Sequence, residues 1–273
     1  MKPYAAFLGC LLQGVAAGSL QAAEFECMIE SRQVVEIRTP VDGILEKIPV
    51  ERGDRVVQGQ VVAVLESGQE EAAHNLARTR AEAEAAIKAA EARVRFSSRK
   101  ADRMEELYKQ NFISSSGKDE AVTEKLLAEA QLREATEGRN VAQIEEQRAA
   151  EVLKERTVRS PLTGVVVERN QSPGELAQRD SKKPIMKLAT LDPLNVEVVV
   201  PASQFGLIRV GMKAEVIPEV HVGGKYSATV KIVDQVIDAP SGTFGVRLEL
   251  PNPKHQLPAG IKCKARFAEG RRG

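Results

Sequence analysis

Metal capture, nucleophilic catalysis and redox exchange each need a few residue types at short spacing, so the histidines, cysteines and paired carboxylates bound what chemistry this chain can do. The three histidines, His74, His221 and His255, stand alone, with no second ligand at helical or loop spacing. There is no Cys-x-x-Cys, no glycine-rich phosphate loop ahead of a helix, and no nucleophile elbow. Carboxylate pairs such as Glu70-Glu71 and Glu145-Glu146 lie in strongly charged runs and read as solvated helix faces. Aromatics are only 4% of the residues, with no Trp, which argues against a stacking platform for single-stranded nucleic acid. No catalytic, cofactor or metal site is expected, and the chain reads as a binding protein rather than an enzyme.

The elements that must carry such binding are unequal in character. From Ser67 to Arg156 there is no proline, glycine beyond residue 69 is limited to Gly117 and Gly138, and Ala, Glu, Lys, Arg, Gln and Leu, all strong helix formers, fill most positions. Ser67-Gly68-Gln69-Glu70 predicts a capping box, and Gln110 to Gly117 predicts a single break. Two arms, 68–109 and 118–156, would each run about 60 Å at 1.5 Å per residue, as an antiparallel hairpin. In the first arm a seam of period 3.5 runs through Leu76, Arg80, Ala83, Ile87, Ala90, Val94, Ser97, Ala101, Met104 and Tyr108. In the second it runs through Ala128, Leu132, Ala135, Arg139, Ala142, Glu146, Ala149 and Leu153. So small a seam buries little area, and the hairpin is expected to depend partly on what grips its ends.

The N-terminus reads as an export signal over 1–23: Lys2, an apolar run from Tyr4 to Leu12, and small residues ending in Ala22-Ala23 for cleavage. An uncleaved anchor is the alternative, although Gln13 interrupts the run. Cys10 lies inside the run rather than after it, which excludes lipidation there. Removal of Lys2 leaves both charge signs balanced against the 38 acidic residues, so the chain has no electrostatic footprint for nucleic acid. Cys27 and Cys263 remain, near opposite ends; in an exported protein they either pair or stay as two buried thiols, and both outcomes are open.

An internal repeat flanks the hairpin. Thr39-Pro40-Val41-Asp42-Gly43-Ile44-Leu45 precedes it and Ser160-Pro161-Leu162-Thr163-Gly164-Val165-Val166 follows it, and ten residues after each motif glycine comes another, Gly53 and Gly174. The first copy continues through Gly59-Gln60-Val61-Val62-Ala63-Val64-Leu65 and the second through Pro184 to Ala189. Short β-branched runs between Pro and Gly predict strands and tight turns, and two similar halves predict a pseudo-symmetric sandwich. From Leu194 the chain turns strand-rich again, with alternation at Val246, Leu248 and Leu250 against Arg247 and Glu249, and a short helix is expected within Pro201 to Ile208.

The half-motif Pro40-x-x-Gly43, Gly53-Asp54-x-Val56, Gly59-Gln60 resembles that of biotinyl and lipoyl carrier domains. The hairpin carrying the carriers' modified lysine is replaced by Leu65-Glu66-Ser67-Gly68 leading into a helix, so a carrier function is disfavoured. A split carrier domain behind an export signal resembles the periplasmic adaptor, or membrane fusion, proteins of tripartite efflux pumps, the HlyD and RND-type adaptors.

That resemblance implies a fold class: an α+β multidomain chain with a split lipoyl/biotinyl-like β-sandwich (33–67 plus 157–191), interrupted by a long antiparallel helical hairpin (68–156). A small β-barrel domain (192–269, with an N-terminal strand over 24–32) follows, and that strand would bring Cys27 near Cys263. It further implies an adaptor in the periplasm, linking an inner-membrane transporter, RND-type or ABC-type, to an outer-membrane channel of TolC type and self-associating into a ring, with no cofactor. The family carries an Arg, a Leu and a Ser at the hairpin tip, spaced four and then seven residues apart, and Arg103, Leu107 and Ser114 match that spacing. Read without the resemblance, Arg103 is a solvated charge, Leu107 a seam-edge residue and Ser114 or Ser116 a helix cap. The competing reading is an exported coiled-coil scaffold with no transport role.

Overall fold

The computed structural model describes residues 23–219 and 223–268, so residues 1–22 of the expected export signal and His221 fall outside the described residues. The chain divides into two compact units, and it passes between them within two long strands, β1 (Glu24–Ile37) and β8 (Met186–Pro201).

One unit, 34–189, contains the sandwich and the hairpin. Its short strands are β2 (Gly43–Lys47), β3 (Arg55–Val56), β4 (Val61–Leu65), β5 (Thr157–Arg159), β6 (Gly164–Arg169) and β7 (Leu176–Ala177). One layer has the order β5-β4-β2-β7; in the other, β6 pairs antiparallel with both β3 and the start of β8. Ile37, Leu45, Val56, Val62, Leu65, Val166, Ile185, Met186 and Leu188 form the core between them.

The two sequence repeats fold as exchanged halves. Gly53 donates its N–H to the carbonyl of Val166 at 2.9 Å and Gly174 donates to that of Leu45 at 2.7 Å, each copy reaching into the other. Both glycines have left-handed backbones, φ 96° and 86°, which explains the shared residue. The side chains of Asp54 and Glu175 accept from backbone N–H groups three residues earlier, Glu51 and Ser172, at 2.8 and 3.1 Å. Thr39 and Ser160, both buried, make the same local turn around Val41 and Leu162. The motif glycines mark close approach: a Cβ on Gly43 would lie 2.7 Å from Leu65 Cδ2, and one on Gly164 would strike the Ala189 carbonyl.

The hairpin departs from its sequence reading in the first arm. There are two helices, α1 (Gly68–Glu82) and α2 (Ala85–Lys109), facing a single α3 (Ser115–Lys154). The expected single break is therefore two breaks, because Ala83 adopts an extended backbone inside a run of good helix formers. The capping box is also not formed. Ser67 Oγ donates to Glu71 Oε1 at 2.8 Å, while Glu70 is drawn off by Arg156 at 2.6 Å, a charge-assisted pair that competes better for the carboxylate. On α2 the seam runs as expected through Ile87, Ala90, Val94, Ser97, Ala101 and Met104, and Tyr108 at its end is exposed; on α3 every expected seam residue is buried or half-buried. On α1 the seam is instead His74, Ala77 and Ala81, and Leu76 is exposed.

The other unit comprises residues up to Gln33 and from Thr190. Strands β9 (Lys213–Pro218), β10 (Tyr226–Val233), β11 (Thr243–Leu250) and β12 (Ile261–Phe267) join β1 and β8 in the antiparallel order β1-β12-β9-β10-β11-β8. Alternation decides the faces: Leu194, Val196, Val198 and Val200 of β8 and Phe244, Val246, Leu248 and Leu250 of β11 all point into one core. The short helix expected after Pro201 is one 3-10 turn, Ala202–Gln204, cut short as Phe205 turns extended and sets its ring against Phe244 at 5.4 Å. Cys27 and Cys263 are register partners on β1 and β12 and form a disulfide.

Candidate partner-binding tip of the helical hairpin

The tip is built by backbone capping at both helix ends. α2 closes with a Schellman motif: Asn111 adopts φ 63° and donates to the Tyr108 carbonyl at 2.9 Å, and Phe112 donates to the Leu107 carbonyl at 2.9 Å. Asn tolerates the left-handed region better than other side chains do, which is the local reason the chain turns here. α3 opens at Ser114, whose Oγ accepts from the Gly117 N–H at 3.3 Å. Side chains add a second tie: the Lys118 ammonium lies 4.8 Å from the centre of the Tyr108 ring and 3.7 Å from Glu105.

This frame places the three matched residues unequally. Arg103 is exposed on α2 and, among the described residues, has no carboxylate within ion-pair distance. Leu107, one helical turn further on, is half-buried, and its carbonyl anchors the turn. Ser114 is exposed with its oxygen committed to the cap, leaving its O–H to donate outward. Phe112 stands 73% exposed between them, beside a half-buried Ile113. An exposed cation on α2, with a hydroxyl donor and a bare aromatic at the turn, gives the tip the kinds of group that protein interfaces use.

The other end of the hairpin is clamped to the sandwich. Arg156, just after α3, holds the Glu70 carboxylate at 2.6 Å and donates to the Asp42 carbonyl at 3.0 Å, while its own carbonyl accepts from Leu65 at 2.8 Å. Sequence reasoning passed over Arg156; its position at the return into the second repeat was the available signal. Among the described residues, no group of three or more His, Cys, Asp or Glu could hold a metal, and no helix is long and apolar enough to cross a membrane.

A two-copy sandwich opened by a helical hairpin, with a small antiparallel β-barrel beside it in the chain, defines the class of membrane fusion, or periplasmic adaptor, proteins. The chain belongs to that family: a model described as CzcB-like, barrel-sandwich hybrid domain matches residues 33–189, and one described as CusB-like, beta-barrel domain matches 194–271. The multidrug resistance protein MdtE of Escherichia coli K12 is 28% identical over 252 residues, covering 88% of this chain and 62% of that protein. The cation efflux system protein CzcB of Alcaligenes sp. strain CT14 is 26% identical over 257 residues, covering 93% of this chain and 46% of that protein. The chain thus spans between about half and two thirds of the length of these relatives. The crystal structure of MacA from Actinobacillus actinomycetemcomitans shares the fold, with a TM-score of 0.76 at 21% identity over 96% of this chain and 83% of that one.

Proposed function

We propose that this protein is the periplasmic adaptor of a tripartite efflux or secretion system, linking an inner-membrane transporter to an outer-membrane channel. The observation that carries this reading is a sandwich split between its two repeats by the hairpin, matched by an adaptor-family model across 33–189. An RND-type transporter is favoured over an ABC-type one, because the β-barrel model that matches is CusB-like and of the RND class. In this reading the hairpin supplies reach, and Arg103, Leu107 and Ser114 make the distal contact with the channel. The β units pack against the transporter and against neighbouring copies in a ring, whose head-to-tail contacts use two different flanks. The protein performs no bond chemistry; the mechanism is protein–protein docking.

The test is photo-cross-linking in intact cells from position 110, the exposed cap residue of α2, with adducts identified by mass spectrometry. An adduct with an outer-membrane channel is expected. Adducts only with itself or with soluble proteins, from a well-exported chain, would favour the scaffold reading. Arg103→Asp separates the two readings again: the adaptor loses export activity while its helicity stays unchanged, and a scaffold keeps its transport phenotype.

A further inference from the structure

The first arm of the hairpin is broken where its own sequence resists a break. Residues 81 to 86 are all alanine or glutamate, yet α1 stops at Glu82, Ala83 is extended (φ −69°, ψ 112°), and α2 starts afresh at Ala85. The break also changes the phase of the arm. The α2 seam, continued backwards at a regular period, demands Ala83, Arg80 and Leu76. α1 instead turns in Ala81, Ala77 and His74, one residue out of phase, or about 100° around the helix. Leu76, the one large apolar side chain of α1, is left 54% exposed.

What holds this phase lies on α3. Arg139 occupies a seam position there, its Nε buried without a hydrogen-bond partner, and its guanidinium reaches the Glu84 carboxylate, at the break, at 3.4 Å. His74, facing the seam only in this phase, meets Glu146 at 3.1 Å. Beside Arg139 stands Gly138, where an added Cβ would meet nothing within 4 Å, so no close packing calls for glycine. Its effect is to soften α3 at the height of the break. Both arms are therefore weak at one level, and one cross-helix ion pair spans it.

We propose that the hairpin is a two-state rod with a hinge at Ala83–Glu84 and Gly138, latched in its broken state by Glu84–Arg139 and His74–Glu146. In the other state α1 and α2 run as one helix. α1 rotates by about one residue, some 100°, Leu76 enters the seam, and Glu84 releases Arg139. Arg80 enters with Leu76, its stem along the seam and its head in water. The states exchange two polar contacts for apolar burial and an uninterrupted backbone ladder, opposing gains of similar kind that make the element bistable. The rotation re-aims everything beyond the hinge, the tip included, whatever the tip binds.

The experiment uses the full chain with a single cysteine replacing Leu76 or Ala77, treated with a small maleimide and read by peptide mass, so that other cysteines do not interfere. Position 76 is expected to react faster than 77. With Arg139→Leu added the order reverses, and labelling at 76 slows by about tenfold as the exposed state becomes minor. The exchange Glu84→Arg with Arg139→Glu restores the original order. An unchanged order in Arg139→Leu with helicity intact, or failure of the charge exchange to restore it, overturns the proposal. Should Arg139→Leu lose helicity, Glu84→Gln must produce the same reversal, and an unchanged order there overturns the proposal equally.

Discussion

The β units and the hairpin are held together by different physics. In the sandwich, Leu45, Leu65, Ile185, Met186 and Leu188 are almost wholly removed from water, and in the barrel so are Leu194, Leu248 and Leu250. In the hairpin the buried residues are Ala81, Ala101, Ala121, Ala128 and Ser97. At about 25 cal/mol per Å² an alanine side chain contributes only a fraction of what a leucine does. The hairpin compensates with ion pairs between helices, such as Lys100–Glu124 at 2.7 Å and Lys118–Glu105 at 3.7 Å, most of them screened by solvent and individually weak. The β units should unfold cooperatively at few decisive positions, and the hairpin should open locally at many.

The sharpest way to break that contrast is a matched pair of truncations. Leu65→Ala, in the sandwich core, should cost about 2–5 kcal/mol, whereas Leu132→Ala, half-buried in the α3 seam, should cost about 1 kcal/mol or less, both read by urea unfolding followed through amide exchange. Equal costs would show that the hairpin has a core after all. Next in size is the Cys27–Cys263 bond, which closes a sequence separation of 236 residues. Its reduction should destabilise the barrel by about 2–4 kcal/mol, and a melting temperature indifferent to reductant would remove the bond from the account. Arg156→Leu should be smaller, about 1–3 kcal/mol, because it strands the part-buried Glu70 carboxylate. Its signature is faster exchange confined to residues 65 to 71, and uniform loosening of the sandwich would contradict the clamp.

The smallest effect is one of pH. A hydrogen bond from Lys100, reinforced by its charge, holds the Glu124 carboxyl below its ordinary value of 4.5. The contribution is present above that value and is lost as pH falls through the lowered one. The hydrogen bond to Glu124 raises Lys100 above its ordinary 10.5, so its contribution persists below 10.5 and is lost only at more alkaline pH. The hairpin should therefore show a small loss of protection in acid, absent from Glu124→Gln, and no loss between neutral pH and 10.5. A variant as acid-sensitive as the parent would mean the pair contributes nothing.

Much of this architecture was legible because it rests on local rules. The absence of proline, the run of helix formers and the 3.5-residue period specify α3 and its seam from Ala128 to Leu153, and the paired glycines Gly53 and Gly174 specify two like halves because only glycine takes their backbone angles comfortably. The turn at Asn111 was foreshadowed by its residue type. The phase of α1 was not legible: regular spacing puts Leu76 inward, and only α3, by presenting Arg139 and Glu146 where Glu84 and His74 can meet them, turns that leucine out. The capping box failed for the same reason, since Arg156, 86 residues further along the chain where the second arm returns to the base of the hairpin, takes Glu70. By itself the sequence determined which segments are helix, which are strand and which faces are apolar, because propensity and periodicity act over a few residues. The tertiary structure decided which charged groups pair and where a helix must break, because the partners come from segments distant in the chain that only the fold brings near, and helix preferences of a fraction of a kcal/mol per residue are small enough for such contacts to tip.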